Sequence, residues 1–244
     1  MKKSLLFLFA MLISTTIIGA DFENNGYYFN FTGEGTVEIT SGTNKYTGDI
    51  SIPDYVNYNM KYYSITSIGY EAFKDCDELT SVAIGKYITH IDTYAFKSCD
   101  ALTTITISSN LQSAGSYIFT QCPSLSVINI VSNSIAEACG KLTNGLLGYA
   151  HILRRIIVDG YEVTSLNIPN NISSIVNHAF QNCDNLTEIL IANNVTEIGN
   201  YAFCDCDGLT DITIPNNVIY ISDYAFQDCD SVTAVKIGDG VTDI

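Results

Sequence analysis

The strongest constraint in this chain is a spacing. Cys76, Cys99 and Cys122 stand 23 residues apart, and Cys183, Cys206 and Cys229 keep the same step. Phe73, Phe96 and Phe119 repeat it, as do Phe180, Phe203 and Phe226. Between them the apolar positions recur in fixed order: Leu79, Val82, Ile84, Ile88, Ile91, Ala95-Phe96, Cys99, then again from Leu102, Val163, Leu186 and Leu209. One period carried across most of a chain predicts a solenoid, whose single coil cannot bury its apolar face without neighbours.

Each coil has a physical reading. Leu209-Thr210-Asp211-Ile212-Thr213-Ile214 alternates, which places Ile212 and Ile214 on one face of a strand. Pro215-Asn216-Asn217 ends that strand with turn-forming residues. Val218 and Ile221 turn inward on the return side, and the interval from Tyr224-Ala225-Phe226 to Cys229 is that of about one helical turn. Stacked coils would pair their strands in parallel, about 4.8 Å apart, and align like residues into ladders.

The wording Leu-Thr-x-Ile-x-Ile-Pro, Val-Thr-x-Ile-Gly and Tyr-Ala-Phe-x-x-Cys, cleanest over residues 186–206, resembles the BspA-type leucine-rich repeat. Residues 27–30, 36–39, 46–53 and 63–69 resemble the amino-terminal region of such proteins from Bacteroides-like bacteria. The resemblance spans about residues 24–244 and implies a leucine-rich-repeat solenoid of α/β class. Parallel strands would form one face, with short helical turns or irregular coils on the other. It also implies a secreted or cell-surface protein with a protein partner, either host matrix or another cell surface, and a role in adhesion.

The expected organisation has three parts. Residues 1–20 read as a signal peptide: a basic start at Lys2 and Lys3, an apolar run shorter than the roughly 20 residues of a membrane span, and a small residue, Ala20, at the cleavage point. No transmembrane segment follows. Residues 21–63 would be an amino-terminal cap with a first partial coil, protecting the open edge of the stack. Residues 64–244 carry the repeats, with an insertion near 132–162, because Cys122 and Cys183 are 61 residues apart, 15 more than two periods. Within it, Asp159-Gly160 marks a hairpin turn. Residues 232–244 begin another coil and stop before its Ala-Phe or Cys, which predicts either a longer protein or an end covered by a partner.

The chain of 244 residues has 26 acidic and 11 basic side chains, a formal charge of -15. Such a balance repels a phosphate backbone, so nucleic acid is excluded as a partner. Oligomeric state has no signature here.

The aligned Cys are expected as buried free thiols, since side chains in a ladder point the same way, poor geometry for the crossed dihedral of a disulfide. Cys204 falls in the phase of Lys74, Lys97, Gln181 and Gln227 and is expected to face outward. Asp75, Asp77, Asp205, Asp207, Asp228 and Asp230 flank the ladder; calcium is the functional alternative to their capping local turns. Gln121, Pro123 and Asn182 interrupt that acidic row, so neither metal nor any other cofactor is expected. Tyr94, Tyr117, Tyr201 and Tyr224 form an aromatic column with His178, read as packing.

His90, His151 and His178 lie at unrelated phases and accompany no nucleophile elbow, zinc motif or phosphate loop, so catalysis is not expected. The candidate partner-binding surface is the outward strand face: Thr80, Ser81, Thr103, Thr104, Thr106, Thr164, Ser165, Asn167, Thr187, Glu188, Thr210, Asp211 and Thr213. That face is hydroxyl-rich and mildly acidic. The competing reading is a stalk or spacer that presents another domain. A carbohydrate-binding module fits this face less well, because the chain has no Trp and the face no aromatic residue.

Overall fold

The computed structural model describes residues 19–108, 110–131 and 155–244. Residues 1–18 of the expected signal peptide, and residues 132–154 of the expected insertion with Cys139 and His151, lie outside the described residues.

The alternating stretches form the main strands. Thr104–Ile107 lies parallel between Leu79–Ala83 and Val127–Ile130, in a register that sets Ser81 beside Thr104 and Thr104 beside Val127. Residues of one repeat phase therefore become neighbours, and Ile105, Ile107, Ile128 and Ile130 are fully buried. Arg155–Val158 continues this sheet beside Val127–Ile130, with Ile156 aligned to Ile128. The expected hairpin follows. Asp159 and Gly160 both take left-handed φ values, 50° and 84°, and Tyr161–Glu162 folds back antiparallel on the preceding strand. Ser165–Asn167 and Glu188–Leu190 then pair in parallel, as do Asp211–Ile214 and Ala234–Ile237.

A second set of parallel strands runs along the return side. Lys61–Ile68, His90–Ile91 and Ser113–Ala114 form one run, and Ser174–Ile175, Glu197–Ile198 and Tyr220–Ile221 another. Four of these two-residue strands bury one side chain each, Ile91, Ile175, Ile198 and Ile221, while Ala114 is half-buried.

The third side of the coils carries the Tyr-Ala-Phe word or its variants Glu-Ala-Phe, Tyr-Ile-Phe and His-Ala-Phe, and it takes the irregular alternative. No helix occurs among the described residues. The reason lies in the backbone: Tyr94 and Ser98, Tyr117 and Gln121, His178 and Asn182, Tyr201 and Asp205, and Tyr224 and Asp228 all adopt φ between 53° and 62°. A left-handed residue at every fourth position stops a right-handed helix from propagating. The freed amides reach the next coil: Tyr94 N–H to Ser116 O at 3.2 Å, Phe96 N–H to Ile118 O at 3.0 Å, Ser98 N–H to Thr120 O at 2.9 Å. Hydrogen bonds between coils thus replace those within a helix.

One continuous core fills the coil interior. Phe73 and Phe96 stack with ring centroids 4.7 Å apart, Phe180 and Phe203 at 5.2 Å, and Phe203 and Phe226 at 5.2 Å. Burying each such ring contributes about 1.5–3 kcal/mol.

At the amino-terminal end Phe22–Asn24, Tyr27–Gly33 and Thr36–Thr40 run antiparallel, and the last joins Lys61–Ile68. Tyr46 places its ring 4.5 Å from Phe73 and so covers the first rung of the Phe ladder. Its hydroxyl donates to Thr40 O at 2.8 Å and accepts from Tyr28 N–H at 3.0 Å. At the other end Val235 is 57% exposed, whereas Ile212, one coil earlier in the same phase, is 4% exposed.

Candidate binding face

The main strands hold their outward residues in rows. One row runs Ser81, Thr104, Val127 and Arg155, and continues in the later coils as Ser165, Glu188, Asp211 and Ala234. A second runs Ala83, Thr106, Asn129 and Ile157, then Asn167, Leu190, Thr213 and Lys236. All thirteen residues expected on this face from the sequence are exposed or half-buried.

Their chemistry divides. Thr103 donates its hydroxyl to Thr80 O at 3.1 Å, Thr187 to Thr164 O at 3.0 Å, and Thr233 to Thr210 O at 3.3 Å. These three hydroxyls are already spent on the carbonyl one coil back. Thr80 and Ser81 both donate to Asp49 Oδ1, at 2.7 and 2.6 Å, and these hydroxyls hold the Asp49 carboxyl below its ordinary pKa. Ser165 donates to Glu188 Oε2 at 2.9 Å, and Thr210 to Asp211 Oδ2 at 3.0 Å. No Lys or Arg pairs with Glu188 or Asp211 among the described residues. Thr104, Asn167, Glu188, Asp211 and Thr213 therefore keep the most polar capacity toward solvent.

Two features of this face were not drawn from the sequence. Leu190 is 50% exposed beside Asn167 in the second row. It borders a groove of about 390 Å³ with Asn167, Asn170 and Asn193. Strand alternation in Glu188-Ile189-Leu190-Ile191 points Leu190 outward, so that signal was present. Arg155 also grips Glu162 with two hydrogen bonds, Nε at 2.8 Å and Nη2 at 3.2 Å, closing the edge of the first sheet.

All seven Cys among the described residues are free thiols. The ladder does more than fill space. Cys99 donates to Phe73 O at 3.0 Å, Cys122 to Phe96 O at 2.9 Å, Cys206 to Phe180 O at 3.1 Å and Cys229 to Phe203 O at 3.1 Å. Burial pushes the Cys183 and Cys206 thiols up, far from the thiolate that nucleophiles and metal ligands require. Cys204 corrects the sequence reading: it is 3% exposed rather than outward-facing, and donates to Asp205 Oδ2 at 3.1 Å. Lys and Gln at this position reach past the coil wall, but a one-atom thiol ends inside it.

Among the described residues no three His, Cys, Asp or Glu side chains come together as a metal site. The aromatic column does assemble: Tyr94 and Tyr117 stack at 5.5 Å, His178 and Tyr201 at 5.1 Å, and Tyr201 and Tyr224 at 4.9 Å. His90 instead sits on the return sheet, its Nδ1 2.7 Å from Ser113 Oγ. No helix among the described residues is long and apolar enough to cross a membrane.

Comparison with known proteins follows the same lines. A leucine-rich repeat protein from Bacteroides ovatus is 26% identical, with TM-score 0.65, over 91% of this chain and 54% of its own. The chain thus spans about half the length of that relative. A leucine-rich repeat protein from T. pallidum is 20% identical over 75% of this chain and 87% of its own, with TM-score 0.44. A leucine-rich cell surface protein from Faecalibacterium prausnitzii is 17% identical over 88% of this chain and 94% of its own, with TM-score 0.33. No curated protein matches the chain. The model of the BspA-type leucine-rich repeat region matches residues 51–143 and 158–244 in six copies, and with that repeat, its ladders and its parallel strands, the chain belongs to the BspA-type leucine-rich repeat family.

Proposed function

We propose that this repeat module is displayed outside the cell and binds a protein partner, in host matrix or on another cell surface, through its main strand face. One observation carries the reading. The outward positions recur in two rows, most of them polar and rich in hydrogen-bonding groups, and they include the half-exposed Leu190 and the carboxylates of Glu188 and Asp211, which accept only from neighbouring hydroxyls and pair with no cation among the described residues. Such a surface offers an apolar anchor within a polar rim, the arrangement of protein interfaces. Its rows of exposed polar groups, repeated from coil to coil, suit an extended partner better than a small molecule.

The test is binding of the exported chain to immobilised matrix proteins, followed by Thr104→Lys, Glu188→Lys and Asp211→Lys. Saturable binding that falls at least ~10-fold in these variants supports the reading. Binding that survives them and vanishes when residues 132–150 are deleted would move the interface to the insertion. Absence of binding across the panel would favour the spacer.

A further inference from the structure

A second candidate site lies in the cap and is independent of the strand face. A cavity of about 370 Å³ opens between the tip of the first hairpin, the end of the strand Gly48–Ser51, and the strand Tyr55–Tyr58. Phe29 and Val56, 1% and 5% exposed, lie at its base, and Tyr27 and Tyr55 contribute aromatic walls. Asn24, Asn25 and Asn57 supply side-chain amides.

Several of these groups are held in place. Tyr27 donates its hydroxyl to Ser51 O at 2.9 Å, and Asn24 donates Nδ2 to Asn57 O at 3.1 Å. Tyr55 packs against Tyr87 with ring centroids 5.1 Å apart, and Lys86 sits over the Tyr87 ring at 5.1 Å. The Asn25 and Asn57 amides make no hydrogen bond to the described residues, and each offers a donor and an acceptor.

We infer that this cavity binds a neutral saccharide of one or two pyranose rings. None of its nine lining residues carries a charge, in a chain whose formal charge is -15. A charged ligand would enter without a counterion, which is costly. A purely apolar ligand would strand the amides. A pyranose matches both halves of the lining, because it carries an apolar C–H face for aromatic rings and a rim of hydroxyls for amides. The volume lies in the range of small-ligand sites, about 300–1,000 Å³, and at its lower end. The main strand face offers no aromatic wall of this kind.

Saturation-transfer NMR with free glucose, galactose, mannose, N-acetylglucosamine, cellobiose and lactose tests the inference, alongside the same sugars tethered through their reducing ends to a surface. Signal transfer from the protein to at least one free sugar, or capture on a tethered one, is expected; the two arms separate a soluble ligand from a glycan terminus. Tyr55→Ala and Asn25→Gly should each weaken that binding at least ~5-fold. Gly accepts the Asn25 φ of 51°, so this variant keeps the cap folded. Glu188→Lys should leave sugar binding unchanged, which separates this site from the strand face. No transfer and no capture with any sugar would overturn the inference, and so would binding unchanged by both cap variants.

Discussion

The thiol of Cys206 donates to the main-chain carbonyl of Phe180, 26 residues earlier, across 3.1 Å. Both residues are fully buried, so the bond satisfies a carbonyl that water cannot reach. Cys206→Ala removes the sulfur and strands that oxygen, and should lower unfolding free energy by about 1–3 kcal/mol. Cys206→Val restores apolar volume but no donor. Urea denaturation should rank wild type above both; a Val variant as stable as wild type would make the thiol mere filler.

The same burial makes the fold sensitive to alkali. Burial, and then the hydrogen bond to and charge of Asp205, push the Cys204 thiol up to about 12, and burial pushes Cys183 and Cys206 up as well. In the unfolded chain these thiols ionise near pH 8.5, at about their ordinary value. Folded values raised above unfolded ones mean that the stabilisation is complete below about pH 8.5 and is lost as pH rises toward the folded values. Melting temperature under reducing conditions should hold between pH 7 and 8, then fall toward pH 11. A Cys183→Ala, Cys206→Ala double variant should fall less steeply; an equal slope would place the titration elsewhere.

Much of this architecture was legible because a period repeats its own message. Ile105, Phe96 and Cys99 each had partners 23 residues away, and the ladders follow from that spacing. The return sheet was less visible: strands such as His90–Ile91 are too short to show alternation. The left-handed turns were hidden for another reason, since the signal for positive φ is Gly, and Tyr94, Ser98, Tyr201 and Asp205 stand there instead. Cys204 misled because its phase holds long polar residues elsewhere. On the strand face the hydroxyl-rich row was readable, but not that Thr103 and Thr187 spend their hydroxyls on neighbouring coils.

Those turns make their own prediction at Asp75, which is exposed, has φ 56°, and donates its amide to Lys97 O at 2.9 Å. An L-residue in this region costs about 1–2 kcal/mol, less for Asp, while Gly adopts it freely. Asp75→Gly should therefore match or exceed wild-type stability in urea. Asp75→Val should lose about 1–2 kcal/mol, because a β-branched side chain tolerates left-handed backbone poorly. In a right-handed helical turn the order would reverse, with Gly the weaker variant.

Ile212 and Val235 occupy one phase in successive, paired strands, yet Ile212 is 4% exposed and Val235 57%. A stack gains energy where a coil is covered on both sides, so equivalent truncations should differ along its axis. Ile212→Ala opens a cavity between neighbours and should cost about 2–5 kcal/mol. Val235→Ala removes atoms already in water and should stay within about 0.5 kcal/mol of wild type. Urea denaturation of the two variants measures the difference, with hydrogen exchange as a second readout. Amides around Ala234–Ile237 should exchange before those of Asp211–Ile214, because local opening is easiest where apolar contacts are fewest. Equal costs at the two positions would mean that Val235 is covered in solution.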